Sequence, residues 1–333
     1  MPMEATSPRN SPLRQSLVGM VAKSPNGSLL MDDEWQQRAE EELNETPEIY
    51  KRELEALRLM VKNDPNLRVP DSDHFLLRFL RARKFDSKKA FHMLQRYFLM
   101  KLKCPELFGC PLPSTCSVMF ELQAQNMLQQ RDQLGRRVYI LRVEDLLLVL
   151  MEHHTADMPL RPTSIPDNFD SSKVTIDDVF RTNVLALEQI VRESETQVAG
   201  IVVILDMAGL SLQHAKFFTP YYAKRMVELV QETFPLRFKG FHIVNEPFYF
   251  DAVVAVLKPF LKDKIRKRII LHGNDLSSLH AFVSSDVLPA EYGGTAGKFD
   301  NGPWYMHLLA EENYFSDIQK YGYNLDAEIE CTT

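Results

Sequence analysis

Six of the eleven residues from Lys258 to Arg268 are basic, and only Asp263 is acidic. Clustered lysines and arginines hold anions, above all phosphate oxygens, through charge-assisted hydrogen bonds. Just upstream, Phe250, Val253, Val254, Leu257 and Leu261 recur at helical spacing, with Phe260 alongside. That spacing makes one broad apolar face. Periodicity alone fits a crossover helix packed on a sheet. The adjoining cations admit a second reading, in which the face meets lipid and the basic end meets anionic headgroups. Six large apolar side chains entering an apolar phase contribute at most about 10 kcal/mol, at about 1.5–3 kcal/mol each. Each cation beside an anionic membrane adds about 1 kcal/mol. The sum suits reversible docking rather than permanent anchoring.

Catalytic and cofactor motifs do not match. There is no G-x-G-x-x-G, and "GGTAGK" at 293–298 lacks phosphate-loop spacing, with Phe299 where a Ser or Thr is required. A structural turn is the expectation there. "MEHHT" at 151–155 is not H-E-x-x-H, and adjacent histidines point apart on a helix. "GLSLQ" at 209–213 has Gln213 where a nucleophile elbow needs glycine. Asp206 ends a strand at the edge where α/β enzymes place active groups, but no nucleophile accompanies it, so a loop-capping carboxylate is expected. No enzyme activity, cofactor or metal is expected. Cys104, Cys110 and Cys116 are six apart and Cys331 stands alone, so all four read as reduced thiols.

The elements that must position the helix and its cations follow from pattern. The chain has 333 residues, enough for one large core or two modest ones. Hydrophobic residues make up 45% and charged ones 25%, which defines a globular protein. A net charge of -6 opposes general nucleic-acid binding and confines anion attraction to a local patch. No secretory signal is read in the first thirty residues, and no run of about 18–20 apolar residues spans a bilayer.

Residues 1–30 read as a disordered tail, 31–112 as a helical subdomain, 113–300 as an α/β domain and 301–333 as a C-terminal tail. Asp32 or Asp33, Thr46, Asp71 or Ser72, Asp86 or Ser87, Thr175 and Thr219 mark helix starts. Residues 136–143, 200–207, 238–245 and 268–273 read as strands. The apolar helix runs from about 247 to 261 between the last two. Strands alternating with helices imply a mainly parallel sheet with right-handed crossovers.

Five segments in fixed order, "DHFLLRFLRARKFD", "ETQVAGIVVILDMAGLS", "FPLRFKGFHIVNEP", "KPFLKDKIRKRIILHGNDLSSLH" and "LPAEYGGT", resemble the CRAL-TRIO lipid-binding family over about residues 35–300. The branch with α-tocopherol transfer protein, clavesins and cellular retinaldehyde-binding protein is most similar. The resemblance implies a helical N-terminal subdomain, an α/β domain around an apolar cavity and a mobile helical gate at Asn245–Arg268. It implies phosphoinositide binding at Arg83, Arg237, Lys239, Lys264 and Arg268, with Arg and Lys exchanged at 237 and 239. It implies a lipid cavity lined by Phe180, Asn183, Leu187, Ile201, Val203, Leu205, Met226, Leu229, Val230, Phe234 and Leu236. Apolar residues at such places are also ordinary core.

Asn183 and Leu187 replace two small hydroxyl residues of the tocopherol protein. A retinoid, another isoprenoid or a phospholipid therefore suits the cavity as well as a tocopherol does. The expected role is binding and transfer of a small hydrophobic lipid by a cytoplasmic monomer that associates reversibly with phosphoinositide membranes, endosomal ones by the clavesin likeness. A trafficking adaptor that senses but does not move lipid is the alternative.

Overall fold

The computed structural model describes residues 31–109, 111–143, 174–210 and 219–324. Four helices begin it: α1 (Asp33–Leu43), α2 (Pro47–Lys62), α3 (Asp73–Ala82) and α4 (Ser87–Lys103). Each starts where a short polar side chain accepts an orphan backbone N–H. Asp32 takes that of Trp35, Thr46 that of Ile49, Ser72 that of Phe75 and Asp86 that of Lys89. A two-residue strand, β1 (Leu67–Arg68), lies between α2 and α3.

A five-stranded sheet follows, made of β2 (Gln125–Met127), β3 (Arg137–Arg142), β4 (Ile201–Asp206), β5 (Phe238–Val244) and β6 (Ile269–Leu271), paired in that order. β2 runs antiparallel to β3 and the other pairings are parallel. The crossovers carry α5 (Ile176–Ile190), α6 (Ser194–Ala199), α7 (Pro220–Glu228), α8 (Phe250–Leu257) and α9 (Asp263–Arg266). Thr175 caps α5 in a reciprocal box with Asp178, and Thr219 caps α7 ahead of Pro220.

The period of two along a strand divides the sheet's residues between two faces. Val138, Ile140, Val202, Ile204 and Val244 pack against Leu279, Val283, Leu288 and Tyr292 on one face. Tyr139, Leu141, Val203, Leu205, Phe241, Ile243 and Ile269 point to the other, where the cavity lies. The first face also buries His242, whose Nδ1 lies 3.0 Å from His272 Nε2, while His272 Nδ1 meets Ser278 Oγ at 2.6 Å. Burial, with the charges of His272 and Arg136, holds the His242 imidazole down at about 4. The unfolded chain therefore binds a proton at a pH where the fold resists it, so stability is complete above about pH 6.5 and declines as pH falls toward 4. Urea midpoints at pH 7 and pH 5 should differ in that direction, and His242→Gln should reduce the difference.

Two expectations need correction. Residues 301–324 are no tail. They form α11 (Gly302–Ala310) and α12 (Glu312–Ile318), burying Trp304, Leu308, Phe315 and Ile318, and then β7 (Gly322–Tyr323). β7 pairs antiparallel with β1, joining Leu67 to Tyr323. The final helix before them, α10 (Leu276–His280), is a single turn and a half. The apolar crossover helix is also shorter than expected. It starts at Phe250, and beyond Leu257 the chain tightens into a 3₁₀ turn, Lys258–Phe260. Pro259 lacks the N–H that a continued α-helix requires. The expected N-terminal tail, His153, His154, Cys110 and Cys331 lie outside the described residues.

Candidate functional site

The inner sheet face, α5, α7 and α8 enclose a cavity of about 270 Å³. Phe180, Asn183 and Leu187 face it from α5, and Val203 and Leu205 from β4. Met226 faces it from α7, and Leu229 and Val230 from the π-helical turn Leu229–Thr233 that extends α7. Ile201, Phe234 and Leu236 are not on its wall. They belong to the core between the sheet and the helical subdomain, where Phe234 meets Tyr97 edge-on at 5.7 Å. Ile201 shares the strand parity of Val203 and Leu205 but is packed in that core, at the start of β4 where a register shift separates it from Val202. Sequence reading missed Tyr139, Leu141, Phe241 and Ile243. Extending the alternation of Val203 and Leu205 across the neighbouring strands would have found them.

Phe250, Val253, Val254, Leu257 and Leu261 also line the cavity, so α8 covers it with its apolar face, whereas Phe260 does not reach the wall. Gln231 latches the end of this cover. Its Oε1 accepts the Lys262 N–H at 2.7 Å and its Nε2 donates to the Phe260 carbonyl at 3.1 Å. Lys262 pairs with Glu232 in the same turn. At the other end the Tyr249 hydroxyl donates to the Leu210 carbonyl. Phe248, just before α8, is 96% exposed, a position that the helical periodicity did not mark.

The wall is almost entirely apolar. Among its polar residues, Tyr222 donates to Asp177 and Gln231 is spent on the latch. Tyr139 and Asn183 remain as a pair, with the Tyr139 hydroxyl 2.8 Å from Asn183 Oδ1. Asn183 Nδ2 donates to the Val179 carbonyl at 2.8 Å. The Tyr139 oxygen also lies 2.5 Å from the Gln125 amide. The Gln125 atom is Oε1, so two amide oxygens face the one hydroxyl proton of Tyr139. Burial pushes the Tyr139 hydroxyl well above its ordinary value, so it stays protonated.

The basic residues gather beside the far end of α8. Arg83 caps α3 and donates to the Gln231 carbonyl at 3.3 Å. Lys264 stands on α9, and Arg268 donates to the Phe238 carbonyl. Burial, together with the charges of Arg268, Arg83, Arg237 and Lys84, lowers the Lys264 ammonium. Four cations thus converge on a fifth, and Lys84 is one that sequence reading missed. Arg237 and Lys239 are engaged differently. Both donate to Glu42 Oε2 on α1, at 2.8 and 3.0 Å, and Arg38 holds the other oxygen at 2.8 Å. Burial alone would raise the Glu42 carboxyl, but hydrogen bonds from Arg38, Lys239 and Arg237 hold it down at about 2.

The remaining candidates are structural. Asp206 accepts from the Ala208 N–H at 3.1 Å, from Asn245 Nδ2 at 2.8 Å and from the Tyr292 hydroxyl at 2.9 Å, which makes it a loop cap. In "GGTAGK", a Cβ on Gly294 would lie 1.9 Å from the Leu288 carbonyl oxygen, so the motif is a tight turn.

A greasy cavity under a helical cover, behind a capped helical subdomain, has a counterpart among known proteins. Residues 35–96 match the N-terminal domain of CRAL/TRIO, and residues 123–294 match the CRAL/TRIO domain. The chain belongs to the CRAL/TRIO family. The human "Alpha-tocopherol transfer protein-like" is 37% identical over 311 residues, covering 93% of this chain and 84% of that protein. Mouse "Clavesin-1" is 34% identical over 289 residues, covering 86% and 74%. The crystal structure of Sfh5 superposes with a TM-score of 0.53 at 12% identity, covering 86% of this chain and 99% of that one, and so shares its fold. CRAL/TRIO lipid-binding proteins are non-enzymatic. Among the described residues, no helix is long and apolar enough to cross a membrane.

Proposed function

We propose that this CRAL/TRIO protein carries one hydrophobic lipid in its cavity, docks on phosphoinositide-bearing membranes and exchanges the lipid there. The observation that carries this reading is the double placement of one segment: α8 walls the cavity with its apolar face and leads directly into the basic patch. Docking that draws the α8 face toward lipid would open the cavity where its contents can leave. Phe248 is the exposed aromatic best placed to enter the membrane first. Phe250, by contrast, is buried with Met207, Leu210 and Ile243 and belongs to the closed state. The protein would work in the cytoplasm and return to it between encounters, since attraction is confined to one patch of an acidic chain.

The cargo is elongated and apolar with a single polar end, because Tyr139 and Asn183 supply the hydrogen-bonding capacity left on the wall. A tocopherol, a retinoid alcohol and other hydroxylated isoprenoids fit this description. Native mass spectrometry of the purified protein should find one co-purified lipid. Asn183→Leu should weaken binding of a hydroxyl-ended ligand about fivefold relative to its methyl ether, since a hydrogen bond is worth about 1 kcal/mol. Equal losses for both would place the polar end elsewhere. Movement of fluorescent lipid between vesicles tests carriage itself. Vesicle binding with no transfer would identify a sensing adaptor instead.

A further inference from the structure

Glu42 sits inside the basic patch, although α1 lies about two hundred residues from β5 in sequence. It satisfies Arg237 and Lys239, while Lys264 and Arg268 form no ion pair with any described carboxylate and Arg83 feels the charge of Glu232 without pairing with it. The carboxylate is part-buried yet reachable, with 30% of its side chain exposed. We infer that Glu42 is a built-in counter-anion that sets the charge selectivity of the patch, admitting multiply phosphorylated inositol headgroups and excluding singly charged lipids. This rests on the phosphoinositide reading above.

The argument is one of competition. A headgroup with one negative charge gains little by approaching Arg237 and Lys239, because a carboxylate of equal charge already holds both at hydrogen-bond distance. A headgroup with two phosphomonoesters brings more charge and more acceptor oxygens than Glu42 offers. It can occupy Lys264, Arg268 and Arg83 with one phosphate and displace Glu42 with the other. Glu42 itself stays ionised across the physiological range, so the barrier it raises against weak anions is constant.

The test is flotation of the whole protein with vesicles of phosphatidylcholine containing either phosphatidylserine or phosphatidylinositol bisphosphate, matched for total surface charge. The wild type should prefer the bisphosphate vesicles strongly. Glu42→Gln should raise binding to phosphatidylserine vesicles about thirtyfold, as two cations are released to the surface, and raise bisphosphate binding much less. Glu41→Gln changes net charge equally, but Glu41 bonds only Gln37 on the exposed face of α1, so it should leave the ratio unchanged. Soluble inositol bisphosphate should compete with the vesicles for the wild type, which separates recognition of the headgroup from attraction to the bilayer.

A folded Glu42→Gln protein whose preference equals that of the wild type would overturn the inference and leave the phosphoinositide reading standing. A wild type that binds neither vesicle better than neutral ones would overturn that reading and this inference with it. Should Glu42→Gln fold poorly, Arg237→Gln with Lys239→Gln gives the converse test. Removing the two clamped cations should reduce bisphosphate binding and leave the weak phosphatidylserine binding as it was; an equal loss of both would count against the inference.

Discussion

Exchanging Lys264 and Arg268 together for alanine is expected to weaken binding to bisphosphate-containing vesicles about thirtyfold, at about 1 kcal/mol for each cation lost near an anionic surface. These two cations are the ones to remove because no described carboxylate pairs with them, and Lys264 feels the charge of Arg268 as Arg268 feels that of Arg237. The crowding also costs the free protein something. Lys264 and Arg268 are both lowered by burial and by neighbouring cations, so an arriving phosphate relieves a repulsion as well as making new bonds. Wild-type binding should fall steeply with salt and the double variant should respond less, because fewer charges are matched across the interface. Vesicle flotation across a salt series measures both. Neutral vesicles serve as the baseline, and a thermal melt shows that the variant is folded. Binding and salt slope equal to those of the wild type would remove the phosphate assignment from this patch.

The largest effect on stability is expected from Glu188. This carboxylate is fully buried on α5 beneath the helical subdomain. Arg78 on α3 reaches it at 3.1 Å, Lys101 on α4 at 3.6 Å, and the hydroxyls of Tyr97 and Tyr314 donate to its oxygens. Burial would raise its carboxyl, yet Lys101, Arg78 and the two hydroxyls hold it at about 2. Glu188→Gln keeps the shape and leaves the Arg78 guanidinium buried without its counter-charge, which costs about 3–5 kcal/mol. For a protein of this size that is a drop of about 10 °C in melting temperature. The apolar pair Arg78→Met with Glu188→Leu should recover part of the loss, since a buried ion pair can be replaced but not halved. A loss below about 1 kcal/mol for Glu188→Gln would show that the four elements are joined by apolar packing instead.

Legibility in the sequence followed the range of the forces involved. Helix starts at Thr46, Thr175 and Thr219 were plain, and those at Ser72 and Asp86 were placed to within one residue, because a cap acts within three residues. The buried strand β4 was plain because Ile201–Ile204 is a β-branched run, extended by Leu205 before the first polar residue, Asp206. β2 was not, since "QNM" is three residues long, two of them polar, and its partner supplies the order. The helices at 302–318 were missed because Trp304, Leu308 and Phe315 have no core to enter until the N-terminal helices are in place. Five wall residues on β4 and α5, Phe180, Asn183, Leu187, Val203 and Leu205, came through the family resemblance, and strand parity on β3 and β5 would have supplied more. The cation run at 262–268 was visible by density alone, whereas Arg83 and Arg237 needed the family resemblance. Glu42 was invisible. Nothing in "EEELNE" tells one surface glutamate from its neighbours until the fold lays α1 beside β5.

The pairing of β1 with β7 bears on how the protein is made. Leu67 finds its strand partner at Tyr323, and Arg78 is not fully enclosed until Tyr314 arrives. A chain leaving the ribosome therefore holds its first helices unfinished through the synthesis of the whole sheet. The cavity's walls and cover are complete at Ile269, some fifty residues before Tyr323 can close that seam.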